Sequence, residues 1–302
     1  KCSLSFQGKF VFSMSHKFST NVLAAIISAF SFSLAAAAVP YFYKVGGSIF
    51  LLLSVRYIFT LSLSSVLDKS PKKQRTKEAH IRLVLISIFQ AIFVSSYMYS
   101  IYLFQNLSLA VVVIYTFPII TFFANSLIKS RSIDVLSVFA LLASLMGIWV
   151  MFQSDTSDWN LWGVFWGLFA SVAQVFVNIL SRHESVGPGW GLIKYIMVLP
   201  ATVFVLIYFM TTAEPIASVT KPMLMWGIAS AIGMSGGFYF FFQSIAKIGP
   251  VRTANVMYME PVFTIILGVM LLQNVLGYSQ WLGMLIILLA TVTLERWGKK
   301  YS

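Results

Sequence analysis

Arg56 in LSVRYIF, Lys194 in GLIKYIM and Glu260 in MYMEPVF are ionisable side chains set inside long apolar runs of a 302-residue chain. A charge at the centre of a membrane span costs about 2.5–3.5 kcal/mol on insertion scales, so such a residue marks a functional site by default. A cation there can hold a carboxylate or a phosphate. A glutamate can hold a cation, or bind and release a proton, which makes proton coupling an expectation for Glu260. Arg56 stands about 15 Å into its run and Glu260 at a similar depth from the other end, so a structural ion pair between the two is the competing reading. For Lys194, about 6 Å from an end, that reading is snorkelling to the headgroups.

Uncharged polar groups accompany these three. Thr253, Glu260 and Thr264 are spaced by seven and four residues, which places them on one helical face. Pro261 has no amide proton and leaves a carbonyl one turn earlier unpaired, a defect tolerated only where protein or water answers it. Ser171, Gln174 and Asn178 make a second stripe, to be read as cavity lining or as interhelical bonds of about 0.6 kcal/mol each. Gln90 and Tyr97 are seven apart, and Tyr97, Tyr115 and Tyr258 offer ring faces and hydroxyls, with ordinary packing the alternative for each. Gly163 and Gly167 read as a packing face. The candidate solute contacts are therefore Arg56, Gln90, Tyr97, Tyr115, Gln174 and Asn178, with Lys194, Tyr258 and Glu260.

Other chemistry is not indicated. The single cysteine, Cys2, allows no disulfide framework, and His16, His80 and His183 fall in polar segments without metal-ligand spacing. No GxxxxGK[ST] or GxSxG is present, and no two acids share a depth. No cofactor, no metal and no enzymatic activity is expected.

The elements that must position these groups are membrane helices. Hydrophobic residues make up 59% and charged residues 10% of the chain, and mean hydropathy is +0.86; soluble domains carry about 25% charged residues. Apolar runs at 20–43, 46–67, 82–104, 107–128, 133–152, 161–181, 190–212, 222–246, 250–272 and 278–297 predict ten spans. Seventeen of the 21 lysines and arginines then fall on the side of the N-terminus, six of them in the 68–82 loop. This asymmetry predicts cytoplasmic N- and C-termini. It accounts for the net charge of +12 without nucleic acid. Residues 1–18 read as a cytoplasmic tail; they lack the h-region and cleavage site of a secretory signal.

The chain repeats itself. VVVIYTFPIIT (111–121) aligns without gaps to ANVMYMEPVFT (254–264), matching Tyr115, Pro118 and Thr121 to Tyr258, Pro261 and Thr264 at an offset of 143. Each segment lies in the fourth span of a five-span half, 20–152 or 161–298. Five is odd, so the second half is inverted, and inverted repeats place a substrate site near the bilayer midplane. The paired Pro118 and Pro261 are candidate hinges for rocking one half on the other.

The ten spans, IYTFPIITFFANSLI, MYMEPVFTIILGVMLL and the arginine of LSVRYIF together resemble the drug/metabolite transporter superfamily, in its ten-helix EamA-type branch. The turns IKSRS and LQNVL depart from the acidic turn often found there. The resemblance implies an all-α fold of two inverted five-helix repeats around a central cavity, in a cell inner membrane. It implies ATP-independent, alternating-access movement of a small organic metabolite, an amino acid or related compound, in the outward direction. Two alternatives stay open. One is exchange of a phosphorylated or nucleotide-linked solute through Arg56, Lys194 and Arg252; the other is a membrane protein that binds without transporting.

Overall fold

Without water in the hydrocarbon region every backbone amide must find its partner within its own segment, and the apolar runs accordingly coil into helices. The computed structural model describes residues 20–69, 76–104, 107–129, 134–151, 160–183, 185–211, 219–272 and 277–297; the expected tail at 1–18 lies outside them. The described residues form twelve helices: α1 (Thr20–Ala37), α2 (Val39–Lys44), α3 (Ile49–Leu67), α4 (Lys77–Phe104), α5 (Leu107–Ile114), α6 (Phe117–Ile128), α7 (Val135–Met151), α8 (Leu161–Leu180), α9 (Trp190–Thr211), α10 (Lys221–Val256), α11 (Met259–Leu272) and α12 (Tyr278–Trp297). No strand occurs among the described residues.

Small polar residues set the starts of the helices by accepting otherwise unpaired first-turn amides. Ser48 accepts from Leu51 N at 3.3 Å, Asp134 from Ser137 N at 3.0 Å and Asn160 from Trp162 N at 2.9 Å. The expected 68–82 loop is shorter than its composition suggests. Thr76 accepts from Ala79 N at 3.2 Å, and Glu78 pairs with Arg82 one turn on at 2.8 Å. These contacts extend α4 five residues before the expected start at 82.

Among the described residues, seven segments are long and apolar enough to cross a bilayer: Val22–Lys44, Ile49–Leu67, Lys77–Phe104, Leu109–Ile128, Leu161–Leu180, Trp190–Thr211 and Lys221–Val256. Val135–Met151, Met259–Leu271 and Tyr278–Leu294 are apolar but shorter. The expected ten continuous spans are corrected in three places. The fourth run breaks at Tyr115–Thr116, between α5 and α6. The first run breaks at Ala38, between α1 and α2, whereas the expected boundary between the eighth and ninth runs, 246 to 250, coincides with Gly249, whose φ of 82° leaves the helical region inside α10. The ninth then breaks at Met257–Tyr258. Pro118 and Pro261 therefore stand in the first turns of α6 and α11, where a missing N–H costs little, rather than in mid-helix.

The carbonyls opposite Pro118, Pro200 and Pro261 have new partners. Ser171 Oγ of α8 meets Ile114 O at 2.9 Å, opposite Pro118. Ser87 Oγ of α4 donates to Ile196 O at 3.0 Å, opposite Pro200. Glu260 N donates to Met257 O at 3.0 Å, opposite Pro261.

The main helix packings join the first half of the chain to the second: α1 on α10, α3 on α9, α4 on α8 and α7 on α12. Glycines let the backbones close. A Cβ on Gly283 would stand 2.5 Å from Gly147 O, and one on Gly233 would stand 2.7 Å from Ala35 N. A Cβ on Gly167 would stand 2.7 Å from Val113 Cγ1, so Gly163 and Gly167 serve packing, as read from their spacing.

Candidate functional site

Arg56 projects from the middle of α3 toward α1 and α10. Its Nε donates to Ser230 Oγ at 2.8 Å and its Nη2 to Ala35 O at 2.8 Å; Nη2 also contacts Ser230 Oγ. Ser230 in turn donates to Ala35 O at 2.6 Å. The guanidinium is thus held by a serine and a main-chain carbonyl. It forms no ion pair with Glu260, contrary to the pairing weighed from sequence. One physical reason is that α1 and α10 approach closely at Gly233 and Ala35, presenting oxygens at shorter range.

Glu260 opens the first turn of α11. Its carboxyl lies within electrostatic range of the Tyr115 hydroxyl and of Arg56. Its main-chain carbonyl accepts from Ser33 Oγ of α1 and from Thr264 Oγ1, both at 2.9 Å. Tyr97 lies in the electrostatic range of both Arg56 and Glu260. Tyr115 and Tyr258 stack with ring centroids 6.0 Å apart. The two repeat-related tyrosines therefore meet beside the acid. Arg56, Tyr97 and Glu260 lie deep in the bundle yet keep accessible surface.

Other residues read from the sequence are placed differently. Lys194 Nζ lies 3.8 Å from Asp68 Oδ2, at the end of α3, and is absent from the groups that act on Arg56 or Glu260. Gln174 Nε2 donates to Asn178 Oδ1 at 2.9 Å, and Asn178 Nδ2 to Thr121 Oγ1 at 3.4 Å, so these amides join α8 to α6. Thr253 turns to Ser244 Oγ at 2.8 Å and Gly249 O at 2.9 Å. The helical break at Met257–Tyr258 intervenes before Glu260, so the expected continuous polar face is interrupted. Gln90 is fully buried beside the Tyr57 hydroxyl, yet neither amide atom meets hydrogen-bond geometry with a partner. Tyr258 is equally buried with its hydroxyl unpaired.

Sequence reasoning missed Ser230 and Ser33. Serine in an apolar helix is common, and the signal that existed, Ser230 lying three residues before the close-packing Gly233, is visible only once α1 is known to lie there. No group of three or more His, Cys, Asp or Glu residues suited to a metal ion occurs among the described residues.

An all-helical bundle with large apolar side chains exposed on its outer faces has the make-up of a polytopic membrane protein. Residues 159–295 match the EamA-like transporter family. The second half of the chain thus carries an EamA-like transporter domain. Solute carrier family 35 member B1 of Danio rerio is 29% identical over 91 residues, covering 30% of this chain and 26% of that protein. The Mus musculus protein of the same name is 28% identical over 91 residues, 30% of this chain and 27% of its own length. The match thus spans about a quarter of these relatives. A solved crystal structure superposes with a TM-score of 0.75 at 15% identity, over 91% of this chain and 97% of that one. At that identity the likeness is one of fold.

Proposed function

We propose that this chain is a secondary-active carrier that moves a small zwitterionic metabolite, an amino acid or related compound, by alternating access. The observation that carries this reading is Arg56 and Glu260 deep in one accessible centre, opposite in charge and not paired with each other. A carboxylate suits the guanidinium, and an ammonium suits Glu260 and the faces of Tyr97 and Tyr115. With Lys194 engaged by Asp68, the centre holds one charge of each sign, which favours a zwitterion over a phosphorylated solute.

The packing supports two inverted repeats, 20–152 and 161–298. Exchanging the halves turns the α1–α10 contact into the α4–α8 contact, and α1–α11 into α6–α8 with α5–α8. It turns α3–α10 into α4–α9, and leaves α3–α9 and α7–α12 unchanged. Every one of these contacts occurs. In this reading the breaks at Tyr115–Thr116 and Met257–Tyr258, each followed by its proline, act as hinges. The family resemblance and the charge asymmetry favour outward movement across a cell inner membrane, with both termini cytoplasmic.

Flux of radiolabelled amino acids in proteoliposomes tests the proposal. Uptake above protein-free vesicles that falls at least tenfold in Arg56→Gln supports it. Binding without flux would leave a non-transporting receptor, and flux of sugar phosphates or nucleotides alone would favour the exchanger. For proton coupling, Glu260→Gln should flatten the pH dependence of flux; an unchanged profile at full rate removes Glu260 from it.

A further inference from the structure

Tyr43, which no spacing in the sequence singles out, stands beside the central arginine at the end of the bundle away from the basic 68–82 loop. It lies in the last turn of α2, the short helix that follows the break at Ala38. Its two preceding neighbours seat that helix on the rest of the bundle. Phe42 is fully buried, its ring against Gly47 and Gly227. Tyr41 stacks on Trp226 of α10 with centroids 4.4 Å apart, and its hydroxyl donates to Leu271 O of α11 at 2.7 Å. Trp226 is one turn along α10 from Ser230, the residue that holds Arg56. Tyr43 itself is 42% exposed, yet lies within electrostatic range of Arg56. A tyrosine at the end of a membrane helix is ordinarily a headgroup anchor. What sets Tyr43 apart is the guanidinium beside it.

The donors there are incompletely engaged. Arg56 directs Nε and Nη2 to Ser230 Oγ and Ala35 O, and its Nη1 makes no hydrogen bond among the described residues. The Tyr43 hydroxyl makes none among them either. Glu260 acts on Arg56 and Tyr97 but is not among the groups that act on Tyr43. The Tyr43 side of the guanidinium is therefore the side away from that negative charge. A free guanidinium nitrogen beside a phenol hydroxyl offers one donor to each oxygen of a carboxylate. We propose that Arg56 Nη1 and the Tyr43 hydroxyl form an anion subsite that takes the carboxylate of the solute. Tyr43 is then a specificity-determining contact, met from the end away from the basic loops, while the ammonium lies toward Glu260. The identity of the solute rests on the carrier reading; the affinity of this spot for an anion does not.

The test uses the full chain in two arms. In the first, Tyr43→Cys in a Cys2→Ser background is labelled in non-ionic detergent with anionic sulfonatoethyl and cationic trimethylammonioethyl methanethiosulfonate. The anionic reagent should be favoured more at position 43 than in Tyr278→Cys, which is 83% exposed and not among the groups acting on Arg56. Adding Arg56→Gln should lower the anionic-to-cationic rate ratio at position 43 by about threefold or more, the field of one nearby cation. Arg56→Lys, which keeps the charge, should retain the ratio. In the second arm, proteoliposomes carry radiolabelled leucine. Tyr43→Phe, which removes only the hydroxyl, should raise KM about fivefold and leave the maximal rate unchanged, as expected for a contact kept throughout binding. A rate ratio at position 43 that Arg56→Gln leaves unchanged overturns the proposal, as does a wild-type KM in Tyr43→Phe. Wild-type protein without leucine flux counts against the carrier reading alone, and the charge preference at position 43 then decides the subsite by itself.

Discussion

Ser230→Ala removes the oxygen that anchors Arg56, and its cost can be worked from the geometry. Ser230 Oγ accepts from two donors of one guanidinium and itself donates to Ala35 O at 2.6 Å. Neutral interhelical hydrogen bonds in membranes average about 0.6 kcal/mol. Bonds to charged groups in proteins run about 1.5–3 kcal/mol. Two donors sharing one oxygen count as a single strong bond, and Nη2 keeps its 2.8 Å bond to Ala35 O. The expected loss is therefore about 2 kcal/mol, a factor of about 30 in the unfolding equilibrium. A double-mutant cycle over wild type, Ser230→Ala, Arg56→Gln and the double variant isolates the pair, measured by steric trapping in bicelles. The coupling should be at least about 1 kcal/mol, and Ser230→Thr should recover most of it. Additivity within about 0.3 kcal/mol would refute the reasoning, because Ser230 would then support α10 without holding the arginine.

Three further outcomes follow from the packing. Ser87→Ala should destabilise by about 1–3 kcal/mol in the native chain and by much less alongside Pro200→Ala, which restores the donor for Ile196 O; unfolding equilibria of the four forms decide this. Gly283→Ala should abolish monodisperse protein on size exclusion, since its Cβ meets Gly147 O at 2.5 Å, whereas Gly268→Ala meets nothing within 4 Å and should behave as wild type. At the basic end, Asp68–Lys194 and Glu78–His183 each join the first half to the second. Asp68→Asn with Lys194→Gln should raise the labelling rate of a cysteine placed at Tyr97, in a Cys2→Ser background, by severalfold. An unchanged rate would show that this clasp does not restrain opening.

The helices were legible because lipid leaves the backbone no other fold, and apolar runs of about 20 residues declare themselves. The breaks were less so. Gly249–Pro250 falls at the expected boundary between the 222–246 and 250–272 runs, whereas Met257–Tyr258 lies inside an expected run and carries no residue that by itself ends a helix. At that break Glu260 N donates to Met257 O, and Ser33 Oγ donates to the Glu260 carbonyl. The charged centre shows the same division. That Arg56 and Glu260 matter was readable from their cost in an apolar run. That they face one centre without pairing depends on Ser230 and Ala35 reaching the guanidinium first. Lys194, placed by the sequence about 6 Å from a helix end, stands four residues into α9 and reaches Asp68 at the end of α3.

By itself the sequence determined a membrane-embedded helical chain, its internally repeated Tyr-x-x-Pro segments and the few ionisable groups placed where they are costly. These are properties of single segments, settled by transfer free energies and local backbone rules. Only the tertiary structure decided which polar groups answer one another. Helices of similar hydropathy can neighbour each other in many orders. The order is chosen by close contacts such as Gly147 against Gly283 and by serines meeting the carbonyls that prolines leave open. Such contacts join residues more than a hundred positions apart and leave no periodic trace in the chain.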